Sequence, residues 1–214
     1  MRYLLIMAFL AGLCSTAQGQ KNLSLSAQYP IFLDDLRFIY QASPGLRIGY
    51  SSMGDDDGES SERSLDFGLG VYRFQPKDTI FYYLVNDNEV GSIKYSNYWM
   101  FQLKMGCSYV LRPSERTEMY FGVDFGYYYV FLDTEYNEPG RTGSSSSFQG
   151  MGVVAPKAGV NILVGERIGL TYQSSFDFYT TLGGGDEYDP FTYNPEAGNF
   201  NYFITNSLGA YLRF

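Results

Sequence analysis

The sequence predicts an all-β fold, an eight-stranded antiparallel sheet closed into a membrane-spanning barrel. Three observations lead to this prediction. The composition favours strands and turns, since the 214 residues include 21 Tyr, 17 Phe and 24 Gly. Apolar and polar residues alternate with a period of two in one segment after another, as they do in strands with one apolar face. Long polar connections alternate with short turns, a pattern typical of transmembrane barrels.

The N-terminus has the three parts of a secretory signal peptide. A positive charge precedes the apolar run of residues 4–14, and Ala17 and Gly19 supply the small residues of a cleavage site. A membrane-spanning helix needs about 20 residues, more than this run provides. We therefore expect residues 1–19 to be removed after export, which leaves Cys107 as the single cysteine of the mature chain.

Eight segments of the mature chain are predicted strands. In the clearest of them, residues 117–133, every second residue from Met119 to Phe131 is apolar, and the other row mixes small, polar and charged residues. Pro156 would interrupt the ladder of a later segment, so we expect a bulge or kink there. The predicted strands are 45–52, 63–74, 79–86, 98–111, 117–133, 147–164, 168–179 and 202–214.

The connections predict which strand ends share a side of the membrane. Short turns are expected at 75–78, 112–116 and 165–167, and long loops at 53–62, 87–95, 134–146 and 183–200. Outer-membrane barrels place short turns on the periplasmic side and long loops outside. Residues 20–43 alternate only briefly, and a ninth strand would put the termini on opposite sides. We therefore expect 20–43 to be a periplasmic-side lead-in and 44–214 to be the barrel domain.

The two faces of the predicted strands distinguish a membrane barrel from a soluble sandwich. A soluble sheet would turn a face rich in Lys, Glu and Thr toward water, whereas the polar face here carries many Gly, Tyr and Ser residues. Glycine weakens a strand unless space is tight, as it is inside a narrow barrel. The apolar face is rich in Tyr and Phe near strand ends, as in aromatic girdles. We expect the apolar face to meet lipid.

Charged residues on the inward rows are expected to fill the lumen. An eight-stranded barrel is just wide enough to be filled by its side chains, and buried charges are tolerated when they are paired. We therefore expect a packed charge network; a narrow path for ions or solutes is the alternative. The predicted network consists of Arg47, Asp66, Lys104, Asp124, Lys157, Asp177 and Arg213.

The composition argues against several functional classes. Histidine is absent, which removes the usual general base and the commonest metal ligand, and no spacing singles out a pair of carboxylates. We expect neither an enzyme nor a bound cofactor. The net charge of −8 argues against a nucleic-acid partner. An acidic segment without the spacing of an EF-hand is expected to be a solvated loop or, alternatively, a weak divalent-cation site; it comprises Asp55, Asp56, Asp57 and Glu59.

The signal peptide, the eight alternating segments and the ending Leu208-x-Ala210-x-Leu212-Arg213-Phe214 resemble the small bacterial outer-membrane β-barrel family, of the OmpX and OmpA-barrel type. Members of that family end in an aromatic residue that the barrel-assembly machinery reads. The resemblance therefore implies that Leu212 and Phe214 form an assembly signal, and it implies an outer-membrane location among outer-membrane lipids. It covers residues 44–214 and points to no subfamily, ligand or oligomeric state.

Three functions are compatible with these predictions. The first is a structural or surface-interaction role through loops 53–62, 134–146 and 183–200. The second is a small pore or transporter for ionic or hydrophobic solutes. The third is a soluble, lipocalin-like binder. Conductance in planar bilayers would separate the first two, and partition between aqueous and detergent phases would test the third.

Overall fold

The computed structural model describes residues 20–33, 36–54, 61–77, 80–86, 89–181 and 201–214. These residues form ten strands and one helical turn, and none of their helical residues makes a segment long and apolar enough to cross a membrane. The elements are β1 (Lys21–Phe32), α1 (Leu36–Ile39), β2 (Tyr40–Gln41), β3 (Gly45–Met53), β4 (Ser61–Pro76), β5 (Ile80–Asn86), β6 (Glu89–Ser114), β7 (Thr117–Glu138), β8 (Arg141–Leu163), β9 (Ile168–Thr181) and β10 (Asn201–Arg213).

Eight of the ten strands close into an antiparallel ring. The order around the ring is β1-β3-β4-β6-β7-β8-β9-β10, and β10 pairs back with β1. Closure occurs between β1 and β10, where Leu23 lies opposite Leu212 and the main-chain nitrogen of Lys21 donates to the carbonyl of Phe214 over 3.1 Å. A closed ring has no free edge, as lipid requires of a β structure. The predicted eight-stranded antiparallel barrel is confirmed.

The membership of the ring differs from the prediction at two places. Residues 21–32, expected to belong to the lead-in, form the wall strand β1 between β3 and β10. Residues 80–86, expected to be a wall strand, pair with β6 beyond the part of β6 that pairs with β4, and they run in the same direction as β4. Because β4 and β5 pair with successive parts of the same strand, β6, they occupy a single position in the ring.

This change of membership reverses the predicted direction of β3 and β4. Ser52 lies opposite Lys21, and Ser61 lies opposite Leu111. The strand ends that flank the predicted external loop 53–62 are therefore at the end of the ring that carries Lys21 and Phe214, here called the terminal end. The predicted signal peptide 1–19, the candidate cation loop 55–59 and the predicted loop 183–200 lie outside the described residues.

At the opposite end, β5, β6, β7 and β8 continue past the ring. The segment 134–146, expected to be a loop, is instead the far part of the β7–β8 hairpin. The hairpin turns at Pro139 and Gly140, and the φ of +77° at Gly140 is a conformation that glycine adopts readily. We call the projecting sheet, residues 80–95 and 133–147, the flap.

The bulge expected at Pro156 is not observed. Pro156 lies opposite Val123 in an uninterrupted ladder with β7. On the side of β9, pairing pauses after Val154 and resumes at Lys157 in the same register. Because proline has no N–H, the ladder loses a bond there without the insertion of an extra residue.

The outward rows form an apolar belt around the ring. On β7 the belt runs from Met119 to Phe131, and Phe125 at its middle is 54% exposed. At roughly 3.4 Å per residue and a tilt of about 45°, this row spans about 29 Å, close to the thickness of the hydrocarbon core. Above Phe131 the row continues with Asp133 and Glu135. The apolar face points outward as predicted, which contradicts the soluble, lipocalin-like alternative.

Candidate functional site

The inward rows carry the candidate site, a lumen filled in two layers. The lower one, here the charge layer, lies toward the terminal end, and the upper one, the aromatic layer, lies toward the flap. The charge layer contains Arg47, Asp66, Lys104, Glu118, Asp124, Lys157, Asp177 and Arg213. The aromatic layer contains Phe32, Tyr72, Phe74, Tyr98, Met100, Tyr128, Tyr179 and Phe203.

Lys104 and Asp177 form the uppermost ion pair. The Lys104 Nζ donates to the Asp177 Oδ1 over 2.7 Å, and the two side chains are 4% and 0% exposed. Asp177 also accepts hydrogen bonds from Thr205 at 2.7 Å and Ser175 at 3.1 Å, and the Lys104 ammonium lies 5.3 Å from the ring centroid of Tyr128. Because β6 and β9 are not neighbours in the ring, this pair crosses the lumen.

Lys157 holds two carboxylates at the centre of the charge layer. Its Nζ lies 2.5 Å from Asp124 Oδ1 and 2.7 Å from Asp66 Oδ2. Asp66 accepts two further hydrogen bonds at 2.5 Å, from the hydroxyls of Ser64 and Ser108. Asp124 is on the neighbouring strand β7, whereas Asp66 is across the lumen on β4. Lys157 therefore ties three walls of the ring together.

Arg47 reaches across the same level from β3. Its Nη2 lies 3.8 Å from Asp124 Oδ2, and its Nη1 donates to Gln173 Oε1 over 3.0 Å. Gly68 on the adjacent strand makes room for the guanidinium, since a Cβ there would lie 2.6 Å from the Arg47 Nε. The close packing expected of interior glycines in a narrow barrel is present at this position.

Glu118 is the centre of a cluster at the terminal mouth that the sequence analysis missed. It accepts hydrogen bonds from Arg213 at 2.7 Å, Gln20 at 3.2 Å and Arg112 at 3.3 Å, and it is 2% exposed. Arg112 also pairs with Glu62. The place of Glu118 on the inward row of 117–133 was the signal that could have identified it.

The seven predicted lumen residues fall into three groups rather than one network. Arg47, Asp66, Asp124 and Lys157 meet at the centre, and Lys104 pairs above them with Asp177. Arg213 joins Glu118 at the mouth. Once Glu118 is included, the cations and anions of the charge layer are equal in number, which favours burial of the whole set.

The aromatic layer closes the lumen above Lys104. The rings of Tyr128 and Phe203 stack with centroids 5.9 Å apart, and Tyr72 stacks on Phe74 at 5.4 Å. The segment of α1 and β2 covers this layer, where the buried Tyr40 stacks on Tyr98 at 5.2 Å. The inward rows were predicted to carry Gly, Tyr and Ser, and a separate aromatic layer was not predicted.

A polar cavity of about 70 Å³ lies within the charge layer, next to Arg47, Asp66 and Lys157. A single water needs roughly 10–15 Å³, and a pocket for an organic ligand has about 300–1,000 Å³. The cavity thus fits a few water molecules. Asn22 lines the cavity, and its Nδ2, a buried atom without a protein partner among the described residues, is a group that such a water can satisfy.

The remaining predicted sites lie at the surface or outside the described residues. The candidate cation loop, Asp55, Asp56, Asp57 and Glu59, is not among the described residues, which themselves contain no group of three metal-ligating side chains. Cys107 is a free, exposed thiol on the outward row. Leu212 and Phe214 are on the outward side at the terminal end, 44% and 59% exposed.

No protein-family model and no curated protein sequence matches the chain. Among solved structures, Neisserial surface protein A has a TM-score of 0.46 at 11% identity and covers 91% of this chain and 94% of its own. A major outer membrane protein from Thermus thermophilus gives 0.46 at 14% identity, covering 90% and 99%. Ail, the attachment invasion locus protein of Yersinia pestis, gives 0.38 at 13% identity, covering 92% and 99%. By its own closed ring and apolar belt, the chain is an eight-stranded transmembrane β-barrel.

Proposed function

We propose that this chain is a non-enzymatic outer-membrane barrel with a closed lumen, which acts in envelope structure or surface interaction through its flap. The observation that carries the proposal is the filled lumen. The Lys104–Asp177 pair crosses the ring, and the aromatic layer covers it. A pore needs a continuous hydrated path, whereas these side chains contact each other directly.

The chemistry of the charge layer supports a non-enzymatic role. Each of its four carboxylates is in an ion pair with Lys or Arg. A general acid or base must be within reach of a substrate proton, and these groups are held in structural pairs. The full sequence also contains no histidine that could serve instead.

The apolar belt supports a location in the outer membrane, because closed barrels with an apolar exterior are stable in lipid. Bacterial barrels of this kind place short turns in the periplasm. The turns at 115–116 and 164–167 are at the terminal end, so the flap would project outside the cell. Export through the signal peptide 1–19 is part of this proposal.

The flap supplies a surface for interaction beyond the membrane. From Phe131 to the turn at Gly140 the β7–β8 hairpin adds about 20–30 Å of strand. The outward residues Asp133, Glu135 and Asn137 are exposed there, and Tyr82 on β5 is 73% exposed. We propose that this sheet, together with the predicted loop 183–200, contacts surface partners.

A small pore is the second candidate, and the polar cavity beside Arg47 and Lys157 favours it. Planar-bilayer recordings separate the two. The sample is protein refolded in detergent, with folding checked by a difference in gel mobility between unboiled and boiled aliquots. We expect no stable conductance steps. Reproducible steps that a boiled aliquot does not give would contradict the closed lumen and support the pore.

The orientation is tested with epitopes inserted at two turns. An epitope between Pro139 and Gly140 is expected to bind antibody on intact cells. The matched insertion between Glu115 and Arg116 is expected to bind only after the outer membrane is permeabilised. The reverse result would place the flap in the periplasm and overturn the surface role.

A further inference from the structure

A groove of about 290 Å³ lies on the outside of the ring where β3 begins. The ladder between β1 and β3 stops at Gln28 and Gly45, although β1 continues to Phe32. The groove lies at this step in the wall. Its lining residues are Pro44, Gly45, Leu46, Val71, Tyr72, Arg73 and Trp99.

The groove lies at the upper border of the apolar belt. On β4 the outward row changes from Val71 to the polar residues Arg73 and Gln75. Trp99, opposite Arg73 on β6, is 39% exposed. Tryptophan at the end of an apolar belt sits at the level of lipid headgroups. Leu46 and Val71 are therefore at the depth of acyl chains, and Arg73 is at the depth of headgroups.

Arg73 is an exposed cation without an ion-pair partner among the described residues, in contrast to the cations of the charge layer. Its guanidinium lies 5.4 Å from the ring centroid of Trp99, which also lines the groove. The Ser43 hydroxyl donates to the Arg73 carbonyl and holds the preceding loop against the strand. The donors of the guanidinium thus remain available at the headgroup level.

We propose that this groove binds one phosphate-bearing membrane lipid, with an acyl chain against Leu46 and Val71 and the phosphate on Arg73. The planar guanidinium can donate to two phosphate oxygens at once. The apolar side chains of Leu46 and Val71 give the acyl chain contacts like those it makes with other lipids. The chain carries a net charge of −8, so a preference for anionic lipid has to come from a local site such as this one. The inference goes beyond the proposed function, since the groove is outside the lumen and exists whether the lumen is closed or open.

Trp99 makes the proposal directly measurable, because it is the single tryptophan of the chain. The protein is folded into phosphatidylcholine vesicles and titrated with phosphatidic acid whose acyl chains carry bromine, a short-range quencher. We expect brominated phosphatidic acid to quench the fluorescence of Trp99 at lower lipid fractions than brominated phosphatidylcholine does. Arg73→Gln is expected to weaken the preference about tenfold, as for loss of one charge-assisted contact. Arg73→Lys keeps the positive charge but lacks the planar set of guanidinium donors, so its preference for phosphatidic acid is expected to lie between those of the wild type and Arg73→Gln.

Arg63→Gln is the matched control, since Arg63 is an exposed residue of the same outward row at the other end of β4. Unboiled gel mobility verifies that each variant is folded. Equal quenching by the two lipids, or an unchanged preference in Arg73→Gln, would overturn the site. An equal loss in Arg63→Gln would show general attraction to charged lipid and would also overturn it. Inorganic phosphate is expected not to relieve the quenching; relief would indicate a bare anion site and exclude the lipid.

Discussion

The Lys104 Nζ and the Asp177 Oδ1 meet at 2.7 Å inside the lumen, although β7 and β8 separate their strands in the ring. The pair lies where the charge layer meets the aromatic layer, beside the ring of Tyr128. The hydroxyls of Ser175 and Thr205 also donate hydrogen bonds to Asp177. The pair therefore joins two strands that are not neighbours and leaves no room for a wide column of water at this level.

Replacing Asp124 with Ala is expected to lower the unfolding midpoint. The change leaves Arg47 without its carboxylate and Lys157 with only Asp66, and breaking a buried pair costs about 3–5 kcal/mol. Urea unfolding in vesicles measures the effect, and Asp133→Ala, at an exposed position, is the control. Neither the wild type nor Asp124→Ala is expected to conduct ions in planar bilayers. Unchanged stability together with an anion-selective conductance would contradict the filled lumen.

An arginine in the middle of the apolar belt is expected to destabilise the barrel in lipid. Phe125 is at the centre of the outward row of β7, so Phe125→Arg should cost about 2–4 kcal/mol, as for cations at a bilayer midplane. Phe125→Leu is the control, which keeps an apolar side chain. If the arginine variant inserts and unfolds like the control, the outward row has been assigned to the wrong face.

A methyl group at Gly126 is expected to disturb the contact between β6 and β7. Its Cβ would lie 2.0 Å from the main-chain oxygen of Leu103, so the two strands must move apart. We expect Gly126→Ala to lose about 1–3 kcal/mol in unfolding experiments, as in other overpacked interiors. At Gly150 a Cβ meets nothing within 4 Å, so Gly150→Ala serves as the control. Equal stability of the two variants would be inconsistent with this geometry.

The C-terminal Phe214 is predicted to act as an assembly signal through its side chain. Its main chain exchanges hydrogen bonds of 3.1 and 2.9 Å with Lys21, and Phe214→Ala keeps both while removing the ring. We expect this variant to reach the outer membrane in much lower yield while it refolds normally in detergent. Phe178→Ala, which removes another exposed aromatic ring of the belt, is the control. Normal yield for Phe214→Ala would rule out the signal.

The direction in which each wall residue points could be predicted from the sequence. Successive side chains of a strand point to opposite faces. The alternation in 117–133 was therefore enough to place Phe125 outward and Asp124 inward. The same alternation indicated that Arg47, Lys157 and the other inward charges would need partners, because a narrow lumen excludes bulk water.

Which strands form the ring was decided only by tertiary structure. Local pattern does not separate the wall strand β1, which alternates, from the projecting strand β5, which is a short apolar run, because both patterns are typical of strands. What distinguishes them is pairing: β1 pairs with β10 from the far end of the chain, whereas β5 pairs with the nearby β6. The partners inside the lumen follow from the same closure. Lys104 meets Asp177, and Arg213 meets Glu118, because the closed ring brings distant strands to one level, and no local pattern encodes that level.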